Sequence, residues 1–411
     1  MSDTIKVMKT VFVILDGLGD RPIKEFKGKT PLEAAKKPSL NSLATKGITG
    51  MMYPLGVGIN AASDTAQLTI FGYDIEKEYF GRGPIECLGI NMELKENDIC
   101  FRANLATIHD NKTILDRRAG RINSTKEFVE EFDGLEIDGA KFLVKPATGY
   151  RACIVLRGNG FCERVSSNDP KKDGQFALEI KPLDNSLDAK KTAAVLNKFI
   201  ELTNQKLNQN KKNIELRKQN KPQANYFLLR GAGKNHSLPT FFEKFGLKAA
   251  CIAGAGLYKG IGRTMGMKVI EVEGATGLAD TNIKAKINAC IQALKEFDFV
   301  FLHIKATDSF GEDGNYLKKK EFIEKFDKEL APLLKQEILI VVTGDHSTPC
   351  SLKTHSGDAV PFLMHANGIR TDNAKEFGEQ ACMHGGLGFF CGKDVMNIVT
   401  TTLGIQKKRG E

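Results

Sequence analysis

Asp345 and His346 follow Ile338-Leu-Ile-Val-Val-Thr-Gly, an apolar, β-branched run that presents a carboxylate beside an imidazole where it stops. That run has the pattern of a strand buried on both faces of a parallel sheet, and ligands of open α/β sheets bind at the carboxyl ends of strands. Lys9-Thr-Val-Phe-Val-Ile-Leu ends in Asp16 by the same design, and Asp298-Phe-Val-Phe-Leu-His303-Ile-Lys305 leads to Asp308. His384 stands in a glycine loop, Cys382-Met-His384-Gly-Gly-Leu-Gly388. Ser63 precedes a helical stretch, Thr65 to Phe71, closed by Gly72. A serine there either caps the helix or, activated by a metal, attacks a phosphoryl group held at the helix N-terminus. No His or Lys adjoins Ser63 in sequence to act as its base, so activation falls to a metal. Asp16, Ser63, Asp308, Asp345, His346 and His384 together form an oxygen and imidazole donor set without cysteine, suited to Mn²⁺, Mg²⁺, Zn²⁺ or Co²⁺. Two divalent ions about 3.5–4 Å apart would serve phosphoryl transfer, one activating the attacking oxygen and both clamping the charged group.

Placing these residues together requires an α/β core made from both ends of the chain. Ahead of Ser63, Thr30-Pro-Leu-Glu-Ala-Ala reads as a helix start with Pro31 at its first position. From about residue 90 to 234 the composition changes to shorter strands, turns and basic residues. We therefore expect a discontinuous core, residues 1–90 and 235–411, and an inserted substrate-binding domain, residues 91–234. Strand-like runs in the insertion carry Arg102 and Arg151, and Tyr226-Phe-Leu-Leu-Arg230-Gly returns the chain to the core. Asp116-Arg117-Arg118-Ala-Gly-Arg121 packs three guanidinium groups around a glycine, and Arg263 follows the Gly256 turn. Arginine grips carboxylate and phosphate through paired hydrogen bonds.

The totals narrow the class. A chain of 411 residues exceeds one ordinary core. Hydrophobic content of 41% and charged content of 27% are ordinary for a globular protein, and no apolar run approaches the ~20 residues of a membrane span. Met1-Ser-Asp-Thr-Ile-Lys has no secretory apolar region behind it, and the nine cysteines are scattered without Cys-x-x-Cys spacing. A cytoplasmic, reduced location is the expectation, with no membrane partner. The net charge of +9 comes largely from Lys206 to Lys221 and the Lys407-Lys-Arg tail. No aromatic residues interleave with these runs as a single-strand groove needs, so no nucleic-acid partner is expected. Oligomeric state is not legible.

Longer motifs then carry a resemblance over nearly the whole chain. Leu15-Asp-Gly-Leu-Gly-Asp, Gly28-Lys-Thr-Pro-Leu-Glu-Ala-Ala, Ala62-Ser-Asp-Thr-Ala, Phe80-Gly-Arg-Gly-Pro-Ile-Glu, Leu229-Arg-Gly-Ala-Gly, Thr343-Gly-Asp-His-Ser-Thr-Pro-Cys and His355-Ser-Gly-Asp stand in order. In these the chain resembles the archaeal-type, cofactor-independent phosphoglycerate mutases of the alkaline phosphatase superfamily. The resemblance implies an alkaline-phosphatase-like core, with a central, mostly parallel sheet flanked by helices, and an inserted smaller α+β domain. It implies interconversion of 3-phosphoglycerate and 2-phosphoglycerate through a phosphoserine, without 2,3-bisphosphoglycerate. Carried over by position, Ser63 is the nucleophile; Asp16, Asp345, His346 and the Ser63 oxygen hold one metal, and Asp308 and His384 the other. Arg102, Arg121, Arg151, Arg230 and Arg263 become candidates for the substrate grip, and Asp116 for proton transfer. Two positions depart from the family pattern: Glu312 in Gly311-Glu-Asp-Gly replaces a metal-binding histidine, and Ala359 stands where a proline is expected after His355-Ser-Gly-Asp. A glutamate oxygen there would favour Mn²⁺ or Mg²⁺. His355 lies in a motif loop near the metals, while His303 points from within a strand as a core or supporting residue. The rival readings are a metal-dependent phosphatase or phosphonate-processing homologue, and a homologue that Glu312 has impaired.

Overall fold

A computed structural model describes residues 7–406 and residue 408. The N-terminal hexapeptide and most of the basic tail read above lie outside the described residues. The chain divides into two compact units, Met1–Tyr79 with Leu238–Glu411, and Phe80–Ser237. The second unit begins earlier than residue 91 for a packing reason. The helix Arg82–Gly89 buries Cys87 with Cys100, Cys153 and Val155, residues of that unit's own strands.

The first unit holds an eight-stranded sheet. Its order is Lys268–Val269, Ala249–Ile252, Phe299–Ile304, Thr10–Leu15, Leu339–Thr343, Val360–His365, Ile48–Tyr53 and Gly388–Cys391. Five of its pairings are parallel, and Val360–His365 runs antiparallel to both neighbours. The three central strands are wholly buried, as their unbroken apolar runs require. Side chains alternate across the sheet. Val11, Val13 and Leu15 join Leu302, Ile340 and Phe326 in one core, whereas Phe12 turns to the other face against Phe71 and Phe299.

The second unit is an antiparallel sheet of Ile114–Asp116, Ile99–Ile108, Arg151–Arg157, Ala140–Pro146 and Leu135–Ile137, with Tyr226–Lys234 paired to Ile99–Ile108. The helix Leu187–Gln209 contributes Leu196, Phe199 and Ile200 to the core beneath it. Phe199 stacks on Phe142 with ring centroids 4.3 Å apart. Among the described residues, no helix is long and apolar enough to cross a membrane.

One buried carboxyl braces the loop after the first strand. The Asp20 amide and the Thr30 hydroxyl both donate to Glu379, at 3.2 and 2.6 Å. Thr30 in turn caps the Pro31–Ala34 helix in a reciprocal pair with Glu33. Burial pushes the Glu379 carboxyl up to about 7, with Glu33 adding to the rise against the opposing Thr30 bond. The folded protein therefore holds this proton more tightly than the unfolded chain, whose ordinary value is 4.5. Stability from the group is complete below that value and is lost as pH rises through about 7. Denaturant melts of Glu379→Gln should accordingly gain on the wild type by on the order of 2–3 kcal/mol between about pH 4.5 and about pH 8. A stability difference that stays flat across this range would contradict the assignment.

Candidate active site

Three neighbouring parallel strands deliver acids to one edge of the first unit's sheet. Asp16 follows Thr10–Leu15, Asp345 follows Leu339–Thr343, and Asp308 lies in the first turn of the helix after Phe299–Ile304. All three are fully buried. Their ligand atoms and nearby imidazoles form two groups, Asp16 with His303 and Asp345, and Asp308 with His346 and His355. Within each group the ligand atoms lie within 4.8 Å of one another.

The groups are joined. His346 Nε2 lies 3.3 Å from Asp16 Oδ1 and 3.6 Å from Asp345 Oδ1. His346 also stacks on His355, with ring centroids 3.6 Å apart. His303 Nε2 reaches Asp16 Oδ2 at 3.1 Å while its ring stacks on Tyr258 at 3.5 Å. Lys305, which the sequence analysis gave no role, pairs with Asp308 and lies 3.5 Å from Asp16. Gln67 and the Gly17 amide donate to the two oxygens of Asp345, at 2.8 and 3.1 Å.

Ser63 opens the helix Ser63–Ile70, one residue earlier than a capping serine. Ala62 is the N-cap, with no side-chain cap, so the Ser63 hydroxyl is not spent on the helix. Ser63 Oγ is instead 3.3 Å from His346 Nε2. Gln67, one turn on, faces the same way and explains how a single helix serves both Ser63 and Asp345.

The electrostatics are those of a cation site. Burial would raise the Asp16 carboxyl, yet the Lys305 ammonium and the imidazoles of His303 and His346 hold it well below the usual range. Asp308 is also lowered, with His355 and Lys305 outweighing burial and Asp16. Asp345 goes the other way, raised by burial and by the charge of Asp16. His346 is pushed up to about 9, Asp345 and Asp16 overcoming its burial. Glu312 sits one helical turn beyond Asp308, so the two carboxylates share a helix face. The surrounding protein and then Asp308 raise its pKa. The Asp16 Oδ1 and His303 Nδ1 atoms are buried without a hydrogen-bond partner. Carboxylate oxygens and imidazole nitrogens in this density fit divalent cations.

His384 does not join them. It is exposed at the end of the Glu379–Met383 helix and belongs to neither group. His355 occupies the place expected of it, beside Asp308 at 3.4 Å. In the sequence His355 stood out only by its motif loop, whereas the resemblance had assigned His384, which two glycines follow.

The second unit gathers arginines. Arg102 and Arg230 are directly opposite across paired strands, and Arg151 faces Asn104, two residues along from Arg102. Period-two alternation puts all three on one face. Like charges so placed are destabilising on their own. Burial lowers the Arg102 guanidinium to about 10, with Glu86 opposing and Arg82, Arg230 and Arg151 adding to the fall. Arg230 is lowered in the same manner. The Nε atoms of Arg102, Arg151 and Arg230 are buried without a hydrogen-bond partner. Arg82, which the sequence reading left unassigned, shares Glu86 with Arg102 at 3.1 and 3.7 Å.

Three candidates have other partners or surroundings. Asp116 accepts the Arg118 and Gly120 amides at 2.7 and 2.8 Å, closing its own turn. Arg121 is exposed, in a left-handed backbone conformation. Arg263 belongs to the first unit, where it lies 3.8 Å from Glu271.

Comparison with known proteins places the chain. The Metalloenzyme superfamily description matches residues 8–402. A 2,3-bisphosphoglycerate-independent phosphoglycerate mutase of Methanocaldococcus jannaschii is 47% identical over 99% of this chain and 100% of its own. One from Archaeoglobus fulgidus is 43% identical over 98% of this chain and 100% of its own. Among solved structures, a Thermoplasma acidophilum cofactor-independent phosphoglycerate mutase aligns with a TM-score of 0.72 at 34% identity, covering 97% of this chain and all of that one. A Pyrococcus horikoshii protein gives 0.85 at 37%, over 99% and 100%.

The guanidinium cluster predicts an anion dependence. With a chelator present, inorganic phosphate at about 100 times its Kd should stabilise the wild type by about 2.7 kcal/mol in thermal melts. Arg230→Met, which leaves Asp169 its Arg117 partner at 2.7 Å, should lose at least about half of that gain. Equal phosphate-induced shifts in the two proteins would remove the cluster from anion binding.

Proposed function

We propose, for a chain that belongs to the 2,3-bisphosphoglycerate-independent phosphoglycerate mutases of the Metalloenzyme superfamily, that Ser63 carries the phosphoryl group between the 2- and 3-hydroxyls of glycerate. The observation that carries this reading is the Ser63 hydroxyl, buried, unused as a cap, and 3.3 Å from His346 Nε2. In the cation site, Asp16, Asp345, His346 and Ser63 Oγ would hold one metal. Asp308 and His355 would hold the other, with Glu312 within one turn to complete it. An oxygen-rich set of this kind favours Mn²⁺ or Mg²⁺. When bound, two such ions lower the pKa of a hydroxyl and neutralise phosphoryl charge.

The chain's own residues do the rest. The first amides of the Ser63–Ile70 helix lack carbonyl partners within it and point, with the positive end of the helix, at a phosphoryl group on Ser63. Lys305 adds an ammonium beside Asp16 and Asp308, where it offsets charge arriving with substrate. Gln67 and Gly17 keep the Asp345 carboxylate aimed while the others exchange partners. Arg102, Arg151 and Arg230, with Arg82, would hold the glycerate by its carboxylate, so that it reorients without leaving. Retention of glycerate separates a mutase from a phosphatase, because a lost glycerate leaves the phosphoserine to water.

The decisive assay couples 3-phosphoglycerate to enolase after metal stripping and add-back, without 2,3-bisphosphoglycerate. Turnover should return with Mn²⁺ or Mg²⁺, little free phosphate should appear, and Ser63→Ala should lower the rate by more than about 10³-fold. Free phosphate in step with substrate loss would make the protein a phosphatase. Silence with every divalent ion would make it an impaired homologue.

A further inference from the structure

Thr348 stands between the ligand sets proposed above for the two metals, touching Asp308 of one and His346 of the other. Its Oγ1 lies 2.7 Å from Asp308 Oδ1 and 3.0 Å from His346 Nδ1. A hydroxyl has one proton to give and two lone pairs to receive with, whereas an ionised carboxylate can only accept. The Thr348 proton therefore goes to Asp308, and His346 must present Nδ1–H to Thr348. That leaves Nε2 as the atom turned toward Asp16 and Ser63, each 3.3 Å away.

The rest of Thr348 is fixed from all sides. Its amide donates to the Gly19 carbonyl at 3.0 Å. Its carbonyl accepts from Lys319 Nζ, also at 3.0 Å. Lys319 is fully buried, and its ammonium has three donors for three acceptors: Thr348 O, Gly19 O at 3.2 Å and Asp20 Oδ2 at 2.8 Å. One cation thus ties the loop after the Asp16 strand to the loop after the Asp345 strand. The side chain fits a slot that exists because two neighbours lack a Cβ. At Gly17 a Cβ would come within 2.6 Å of Thr348 Oγ1, and at Gly311 within 2.4 Å of Thr348 O and 2.9 Å of Cγ2. Gly17 additionally has φ +62°, a conformation that favours glycine.

We propose that Thr348, anchored by Lys319, is the positioning residue that couples the two metal groups, fixing the His346 tautomer through its hydroxyl and orienting Asp308 with the same atom. The proposal rests on the metal-binding reading above, but it is tested apart from turnover. Thr348→Val keeps the shape and removes the hydroxyl; Thr348→Ser restores it. Calorimetric titration of the stripped proteins with Mn²⁺ should show the valine variant roughly 10–100-fold weaker, as loss of a partner behind a ligand usually does, and the serine variant close to wild type. In the Zn²⁺-loaded protein, ¹⁵N spectra of the histidines should show His346 protonated at Nδ1 in the wild type and the serine variant. Unchanged Mn²⁺ affinity in the valine variant, or a wild-type His346 protonated at Nε2, overturns the proposal. The wild-type spectrum decides the tautomer even if the valine variant does not fold. A failed mutase assay with these results intact would instead sink the functional reading.

Discussion

Three carboxylates buried side by side are the constraint that everything in the first unit answers to. Asp16, Asp308 and Asp345 have no exposure, and the charge of Asp16 opposes ionisation of both others. Removing such charges from water costs several kcal/mol apiece unless cations or hydrogen bonds compensate. The protein supplies part of the compensation itself, through Lys305 and through an imidazole, His346, held at about 9. It does not supply all of it: Asp345 remains raised, Glu312 is raised beside Asp308, and Asp16 Oδ1 has no hydrogen bond. The residual deficit is of the kind that divalent ions remove.

Sheet order makes that crowding unavoidable. The strands ending near Asp308, Asp16 and Asp345 are consecutive neighbours with parallel registers, so their carboxyl ends lie strand-spacing distances apart. The adjacent antiparallel strand, Val360–His365, returns the chain toward its partners and lets the preceding loop carry His355 back over Asp308. His355 Nδ1 is in turn 2.9 Å from the Ala61 carbonyl, just ahead of Ser63. A single fold decision, which strands are parallel, therefore fixes most of the donor set.

What was legible in the sequence follows the same division. Buried strands announce themselves as apolar runs, and an acid at the end of such a run is conspicuous; Asp16, Asp308 and Asp345 needed nothing more. The helix was expected from Thr65, with Ser63 as a candidate cap, and starts two residues earlier, because serine is a preferred cap residue whereas the true cap, Ala62, offers no side chain to signal it. Loop histidines are harder: which of His355 and His384 reaches the acids depends on the path of the chain after Thr343, and no local pattern encodes it. Lys305 and Lys319 drew no role for another reason. A lysine in a basic chain reads as surface, and only three-dimensional packing turns Lys319 into a fully buried tie. Asp116 and Arg121 lie in a tight turn, where Asp116 accepts two backbone amides and Arg121 has a left-handed backbone, a local use that residue type does not announce.

The two units solve opposite electrostatic problems by similar means. In the first, acids cluster and leave room for cations; in the second, Arg102, Arg151 and Arg230 cluster and leave Nε donors without acceptors. Neither arrangement is favourable by itself, since cross-strand like charges and neighbouring buried carboxylates both oppose folding. Glu86 and Asp169 relieve the arginines only partly, because each is shared: Glu86 by Arg82 and Arg102, Asp169 by Arg117 and Arg230. An ionic ligand of opposite sign would relieve each cluster. Taken each by itself, the arginine cluster suits an anionic ligand and the acid cluster suits divalent cations.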